Sequence, residues 1–89
     1  MATLFVRHTV ADYATWRRIF DAFAPTQDAL GVTDKAVYQS AENANDITVT
    51  HEFATLEAAR AFASSHELKA AMHDAGVTSA PTIWFATRA

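Results

Sequence analysis

The stretch Ile47-Thr48-Val49-Thr50-His51-Glu52-Phe53 decides the fold of this 89-residue chain. Larger, mostly apolar side chains alternate strictly with polar ones along it, which is typical of a β-strand with one face turned toward a core. That face carries Ile47, Val49, His51 and Phe53. The rest of the chain must therefore supply a layer that covers it.

The sequence on either side of this strand predicts three more strands. Residues 35–40 form the preceding strand, and the Asn- and Asp-rich residues 42–46 favour a tight turn, so the two strands make a hairpin. Residues 4–10 and 81–87 are rich in β-branched and aromatic side chains. They complete a set of four strands.

Helical segments occupy the two long connections. Asp12 is a good N-cap. Large apolar residues follow it with helical spacing at Tyr13, Trp16, Phe20, Phe23 and Leu30. Pro25 interrupts this pattern, so we expect a kink or break near Ala24 and a C-terminal cap at Gly31.

In the second connection, Thr55 caps a helix. Ser64-Ser65-His66-Glu67 matches a capping box that begins another helical stretch, which ends at Gly76. The order of elements is then β-α-β-β-α-β. It predicts one α+β domain over residues 1–89 with a ferredoxin-like fold, in which a four-stranded antiparallel sheet has the order 4-1-3-2 and helices cover one face.

The second face of the sheet also carries aromatic side chains. Phe5, Arg7 and Trp84 fall on the parity that points away from the helices, together with Tyr38. Leaving such aromatics in water forgoes roughly 1.5–3 kcal/mol each. We therefore expect a homodimer that packs sheet against sheet, the alternative being a monomer with a mixed, Thr-rich open face. Arg7 and Glu52, on neighbouring strands, are candidates for an interfacial ion pair.

Composition excludes several classes of protein. The chain has no cysteine, which excludes a disulfide scaffold, and a net charge of −3 with scattered basic residues argues against nucleic acid. No apolar run reaches the roughly 20 residues that a membrane span needs, and the N-terminus does not resemble a signal peptide, so a cytoplasmic protein is expected. His66 and His73 are too far apart on a helix to chelate one ion, and no metal is predicted.

Several strings resemble the dimeric α+β-barrel superfamily, which includes the antibiotic biosynthesis monooxygenase-like domains. They also resemble short bacterial proteins labelled uncharacterised or "cyclase". The strings span the whole chain: Val6-Arg7-His8-Thr9-Val10-Ala11-Asp12-Tyr13 with Trp16, Phe20-Asp21, Asn45-Asp46, His51-Glu52-Phe53, residues 64–75 with Leu68 and Met72, Gly76-Val77 and Pro81. The resemblance implies this fold and a homodimer. Cofactor-independent quinone-forming oxygenases of the superfamily bind planar phenols between sheet and helices.

Haem-degrading members of the superfamily provide a second comparison. They use an Asn on the first strand, a Trp at the end of the third and a His on the last helix. The corresponding positions here hold His8 or Arg7, then Phe53, then His73 or Asp74. The Asn and the Trp are missing, which argues against haem degradation. We predict no cofactor.

His8 is the candidate catalytic residue, because a histidine on an apolar strand face suits proton transfer near neutral pH. The alternative is a core histidine bonded to a backbone carbonyl or a tyrosine. His51 shares the helix-facing side of an adjacent strand, on the order of 10 Å away, which suits two groups bracketing a small ligand. The remaining predicted substrate-binding residues are Tyr13, Trp16, Tyr38, Phe53 and Met72.

Two functions remain open at this point. The first is a small-molecule-binding homodimer that acts as a cofactor-independent monooxygenase or cyclase on an aromatic or polyketide-like substrate. The second is a non-catalytic dimeric binding or stress-associated module. The residues alone do not decide between an enzyme and a binding protein.

Overall fold

The computed structural model describes all 89 residues, and its element order matches the prediction, with each helical connection split in two. The elements are β1 (Ala2–Thr9), α1 (Tyr13–Ala22), α2 (Ala24–Ala29), β2 (Val32–Gln39), β3 (Asp46–Phe53), α3 (Leu56–Ala63), α4 (His66–Asp74) and β4 (Thr82–Thr87). The strands form one antiparallel sheet in the order β2-β3-β1-β4. This confirms the predicted ferredoxin-like α+β fold.

Local sequence signals set the helix ends. The Asp12 carboxylate accepts a hydrogen bond from the Thr15 amide at 3.0 Å, and Thr55 caps α3 in the same way. The predicted capping box is wrong by one residue: Ser65, not Ser64, caps α4, because its hydroxyl accepts from the Leu68 amide at 3.2 Å. Ser64 instead ends α3, where its own hydroxyl donates to carbonyls of the preceding turn.

The expected break near Ala24 is present. α1 ends at Ala22, and α2 begins at Ala24 with Pro25 in its first turn, where a missing amide proton costs little. α2 ends before Gly31, whose φ of +97° is the left-handed conformation that favours glycine. The break turns α2 so that Gln27 points inward and is 1% exposed.

The two faces of the sheet differ as the strand parities predict. Leu4 and Val6 of β1 and Val49 and Phe53 of β3 are buried beneath the helices. These side chains belong to two apolar clusters that fill the space between sheet and helices. His8 and His51 are buried on the same face of the sheet.

The opposite face carries the predicted aromatic side chains. Phe5 and Trp84 stack with ring centroids 5.0 Å apart and planes parallel within 1°, and Tyr38 is 59% exposed.

The predicted ion pair between Arg7 and Glu52 is wrong, because the register does not place them opposite each other. Arg7 instead binds Asp46 at 2.7 Å, and Glu52 accepts a hydrogen bond from Thr3.

None of the helices has both the length and the apolar character needed to cross a membrane.

Candidate functional site

A cavity lies between the helix-facing side of the sheet and helices α1, α2 and α4. Thirteen residues line it, and ten of them are hydrophobic. The three polar residues are His8 from β1, Gln27 from α2 and His51 from β3. An apolar cavity with a few convergent polar groups is the usual form of a small-molecule site.

The cavity is narrow. Its empty volume is about 410 Å³ when the space at its mouth is counted, but the centre of a water molecule can reach only about 40 Å³ of it. A ring-sized ligand therefore needs side chains to move aside. Met72 lines the cavity from α4 and is only half-buried, and its flexible thioether chain is well suited to such movement.

His8 lies at one end of the cavity. Its side chain is buried, and neither ring nitrogen has a hydrogen-bond partner within the protein. Burial lowers the pKa of His8, and the negative charge of Asp46 opposes this shift only in part. The imidazole is therefore neutral at pH 7, and one of its nitrogens is free to accept a proton.

His51 lies at the other end. Its Nε2 is 3.4 Å from the amide nitrogen of Gln27, while its Nδ1 is buried without a partner. Burial, followed by the positive charge of Lys35, lowers the pKa of His51 to about 4. His8 pairs with Ile47 in the sheet, four residues from His51, so the two histidines are about 13 Å apart along the strands rather than the 10 Å expected.

Aromatic rings form the wall between the two histidines. Trp16 meets the His8 ring edge-on at 6.0 Å between centroids and stacks on Phe20 at 4.9 Å. Phe20 in turn lies 6.5 Å from the His51 ring. This wall offers flat apolar surface to a flat ligand, with a neutral imidazole at each end.

The structure brings together some of the predicted site residues and separates others. His8, His51, Trp16 and Met72 all line the cavity. Tyr13 does not line it; its ring packs behind Trp16 and its hydroxyl accepts from Arg17. Phe53 is fully buried against Phe62 in the neighbouring core, and Tyr38 stands on the opposite face of the sheet, so neither reaches the cavity. Contrary to the prediction, Tyr13, Tyr38 and Phe53 therefore lie outside this cavity.

Gln27 is the site residue that the sequence analysis missed, although a signal for it exists. Phe20, Phe23, Gln27 and Leu30 are spaced by three, four and three residues, so Gln27 occupies an inward position of the helical stripe. A polar side chain at such a position needs a buried partner. Lys35 provides one, since its ammonium donates to the Gln27 carbonyl oxygen at 2.6 Å.

These features define a ferredoxin-like domain with an apolar, histidine-bearing cavity between its sheet and its helices. No protein-family model matches the sequence, and no curated protein is significantly similar to it. Solved structures do share the fold.

A Bordetella bronchiseptica protein provisionally named an antibiotic biosynthesis monooxygenase aligns with a TM-score of 0.84 and 13% identity, over 99% of this chain and 96% of that one. A Caulobacter crescentus protein with the same provisional name aligns with a TM-score of 0.78 and 18% identity, over 99% of this chain and 89% of that one. SnoaB, a cofactor-independent oxygenase from Streptomyces nogalater, aligns with a TM-score of 0.74 and 16% identity, over 99% of this chain and 94% of that one. The fold of this chain is therefore that of antibiotic biosynthesis monooxygenase-like proteins.

Proposed function

We propose that the protein binds a small, flat, mainly apolar molecule in the cavity and acts on it as a cofactor-independent monooxygenase or cyclase. The observation that carries this proposal is the combination of an apolar cavity with three buried imidazole nitrogens that have no partner. An aromatic or polyketide-like substrate would pack its rings on Trp16 and place its oxygens near the imidazoles. The reaction named for SnoaB, which has the same fold, supports this kind of chemistry.

His8 is the group that would start the reaction. Its lowered pKa keeps it neutral, so it can take the proton of a phenolic hydroxyl as a general base. The phenolate is more electron-rich than the phenol and can react with O₂ directly. One phenol and one O₂ then give one quinone and one water, and no external reductant is consumed.

The narrowness of the cavity favours a second candidate, a non-catalytic binding or stress-associated module. If Met72 and its neighbours do not move aside, the cavity holds only a few water molecules. The protein would then bind partners through its surface, and His8 would have no role in a reaction.

Titration with 1-naphthol, followed by NMR, distinguishes the two candidates. Binding in the cavity should shift the Trp16 indole and Met72 methyl signals. His8→Ala should weaken binding, and it should reduce the rate of O₂ uptake on the order of 100-fold or more, because the general base is lost. His73→Ala, at an exposed position on α4, is the matched control and should change neither. If a screen of phenols, quinones and aromatic acids moves no cavity signal, the proposed function is wrong.

The same proposal includes a homodimer formed through the open sheet face. The stacked Phe5 and Trp84 and the exposed Tyr38 support it, because covering them removes apolar surface from water. Sedimentation at micromolar concentration should give twice the 9.7 kDa chain mass. Trp84→Asp should give a monomer, whereas His73→Asp on the helix side should leave the dimer intact. A wild-type protein that sediments at the mass of one chain would disprove the dimer.

A further inference from the structure

Three side chains in contact with one another connect the protein surface with the cavity. Lys35 on β2 lies directly opposite His51 on β3, and Gln27 reaches between them from α2. The Lys35 ammonium donates to the Gln27 carbonyl oxygen at 2.6 Å, and the Gln27 amide nitrogen lies 3.4 Å from His51 Nε2. Gln27 has no other side-chain partner, so these two contacts fix its orientation.

The chemistry of the three groups determines where the His51 proton sits. An ammonium group can only donate, so the carbonyl oxygen of Gln27 must face Lys35. The amide NH₂ then faces His51 and donates to Nε2, which must accept. Because a neutral imidazole carries one proton, that proton is on Nδ1.

We infer that Lys35 and Gln27 are positioning residues that hold His51 as the Nδ1–H tautomer, so that the cavity selects a ligand with an acceptor oxygen at that end. The ligand half of this inference rests on the proposed function. His51 Nδ1 is buried, lacks a partner in the protein and belongs to a residue that lines the cavity. A carbonyl oxygen of an aryl ketone or a quinone supplies the acceptor that this N–H lacks.

The two ends of the cavity therefore differ in kind. No side chain bonds either ring nitrogen of His8, so His8 can present a donor or an acceptor to whatever lies beside it. His51 is committed to donating. A substrate with a carbonyl at one end and an ionisable hydroxyl at the other fits both, with the carbonyl at His51 and the hydroxyl at His8.

Long-range ¹H–¹⁵N NMR of ¹⁵N-histidine-labelled protein reads the tautomer without any ligand. Wild-type His51 should show a protonated Nδ1 and an unprotonated Nε2. In Gln27→Glu the carboxylate accepts from Lys35 and must also accept from His51, so the proton should move to Nε2. Lys35→Met frees the amide and should give a mixture. Asp28→Asn, an exposed change on the same helix, is the control and should match the wild type.

A protonated Nε2 in the wild type, or an unchanged tautomer in Gln27→Glu, would overturn the assignment of Lys35 and Gln27. Lys35→Met gives an independent reading if Gln27→Glu does not fold, and an unchanged tautomer in that variant would overturn the assignment as well.

Acetophenone, which offers only an acceptor, tests the ligand half. It should bind wild-type protein and bind Gln27→Glu roughly tenfold more weakly, because the carbonyl then faces a lone pair instead of an N–H. Equal binding to both, or binding of 1-naphthol without acetophenone, would overturn the selectivity for an acceptor oxygen. Failure of both probes, together with the failure of the wider screen described above, would overturn the proposed function, while the tautomer result would still decide the roles of Lys35 and Gln27.

Discussion

The pH dependence of the free energy of unfolding tests whether burial keeps His51 neutral. His51 is 3% exposed, and burial together with the nearby Lys35 lowers its pKa from 6.5 to about 4. Because the folded-state pKa is below that of the unfolded chain, the unfolded state takes up the proton first as the pH falls. The stability associated with neutral His51 is full above pH 6.5 and is lost progressively between pH 6.5 and about 4. Between pH 7 and pH 5 the loss is about 2 kcal/mol, at 1.36 kcal/mol per pH unit.

Replacing His51 by Leu should remove this loss. Urea unfolding at fixed protein concentration, followed by the fluorescence of buried Trp16, gives the free energy of unfolding at each pH. His51→Leu should start less stable, because Gln27 loses a partner, but its stability should fall about 2 kcal/mol less than that of the wild type between pH 7 and pH 5. His8 and the carboxylates are common to both proteins, so their titration cancels in the difference.

His66→Gln serves as the control for this comparison. His66 is exposed on α4 and does not line the cavity, so the variant leaves the surroundings of His51 intact and should keep the His51-dependent loss. Parallel stability curves for wild type and His51→Leu would show that His51 is not held neutral by burial, and the argument for a donor at that end of the cavity would fail with it.

Three further predictions concern the fold and are measured by the same urea unfolding. Asp12→Ala should lose about 1 kcal/mol through the α1 cap, and Asp12→Asn should lose much less. Phe62→Ala should lose about 3–5 kcal/mol, because the ring is 1% exposed and packs on both His51 and Phe53. Gly31→Ala should lose about 1–2 kcal/mol from its φ of +97° alone, since the nearest atom to an added Cβ is 3.9 Å away; no loss would contradict a left-handed cap.

The sequence was sufficient for the fold because its signals are local. Asp12, Pro25 and Gly31 each act on the backbone within a few residues, and the alternation in β3 assigns each side chain to a face. The start of β2 was predicted three residues late because the register shifts between Val32 and Asp34, which breaks the alternation there. The paired partner of Arg7 could not be predicted, because it depends on how far β1 and β3 slide past each other.

The residues of the candidate site could be predicted only where strand alternation or helical spacing decides which way a side chain points. His8 and His51 follow from strand parity, and Trp16 follows from the helical stripe. The contact between Lys35, Gln27 and His51 depends on the angle at which α2 leaves α1, and no local pattern gives that angle. Gln27 was overlooked for a simpler reason: the helical stripe was identified from its apolar residues alone. A polar residue at an inward position marks a site where packing alone does not govern the choice of residue.

The energetics of the two histidines favour a ligand over a purely structural role. An unpartnered buried polar atom costs about 1–3 kcal/mol, so the two unpartnered nitrogens of His8 and Nδ1 of His51 each reduce the stability of the core. A second copy packed on Phe5 and Trp84 cannot supply the missing partners, because it would lie on the far side of the sheet from the cavity. Partners for these nitrogens would therefore have to reach them through the cavity, which is where the proposed ligand would place its oxygens. Two imidazoles among apolar neighbours, one of them in contact with Gln27 and through it with Lys35, are what the proposed ligand-binding role requires.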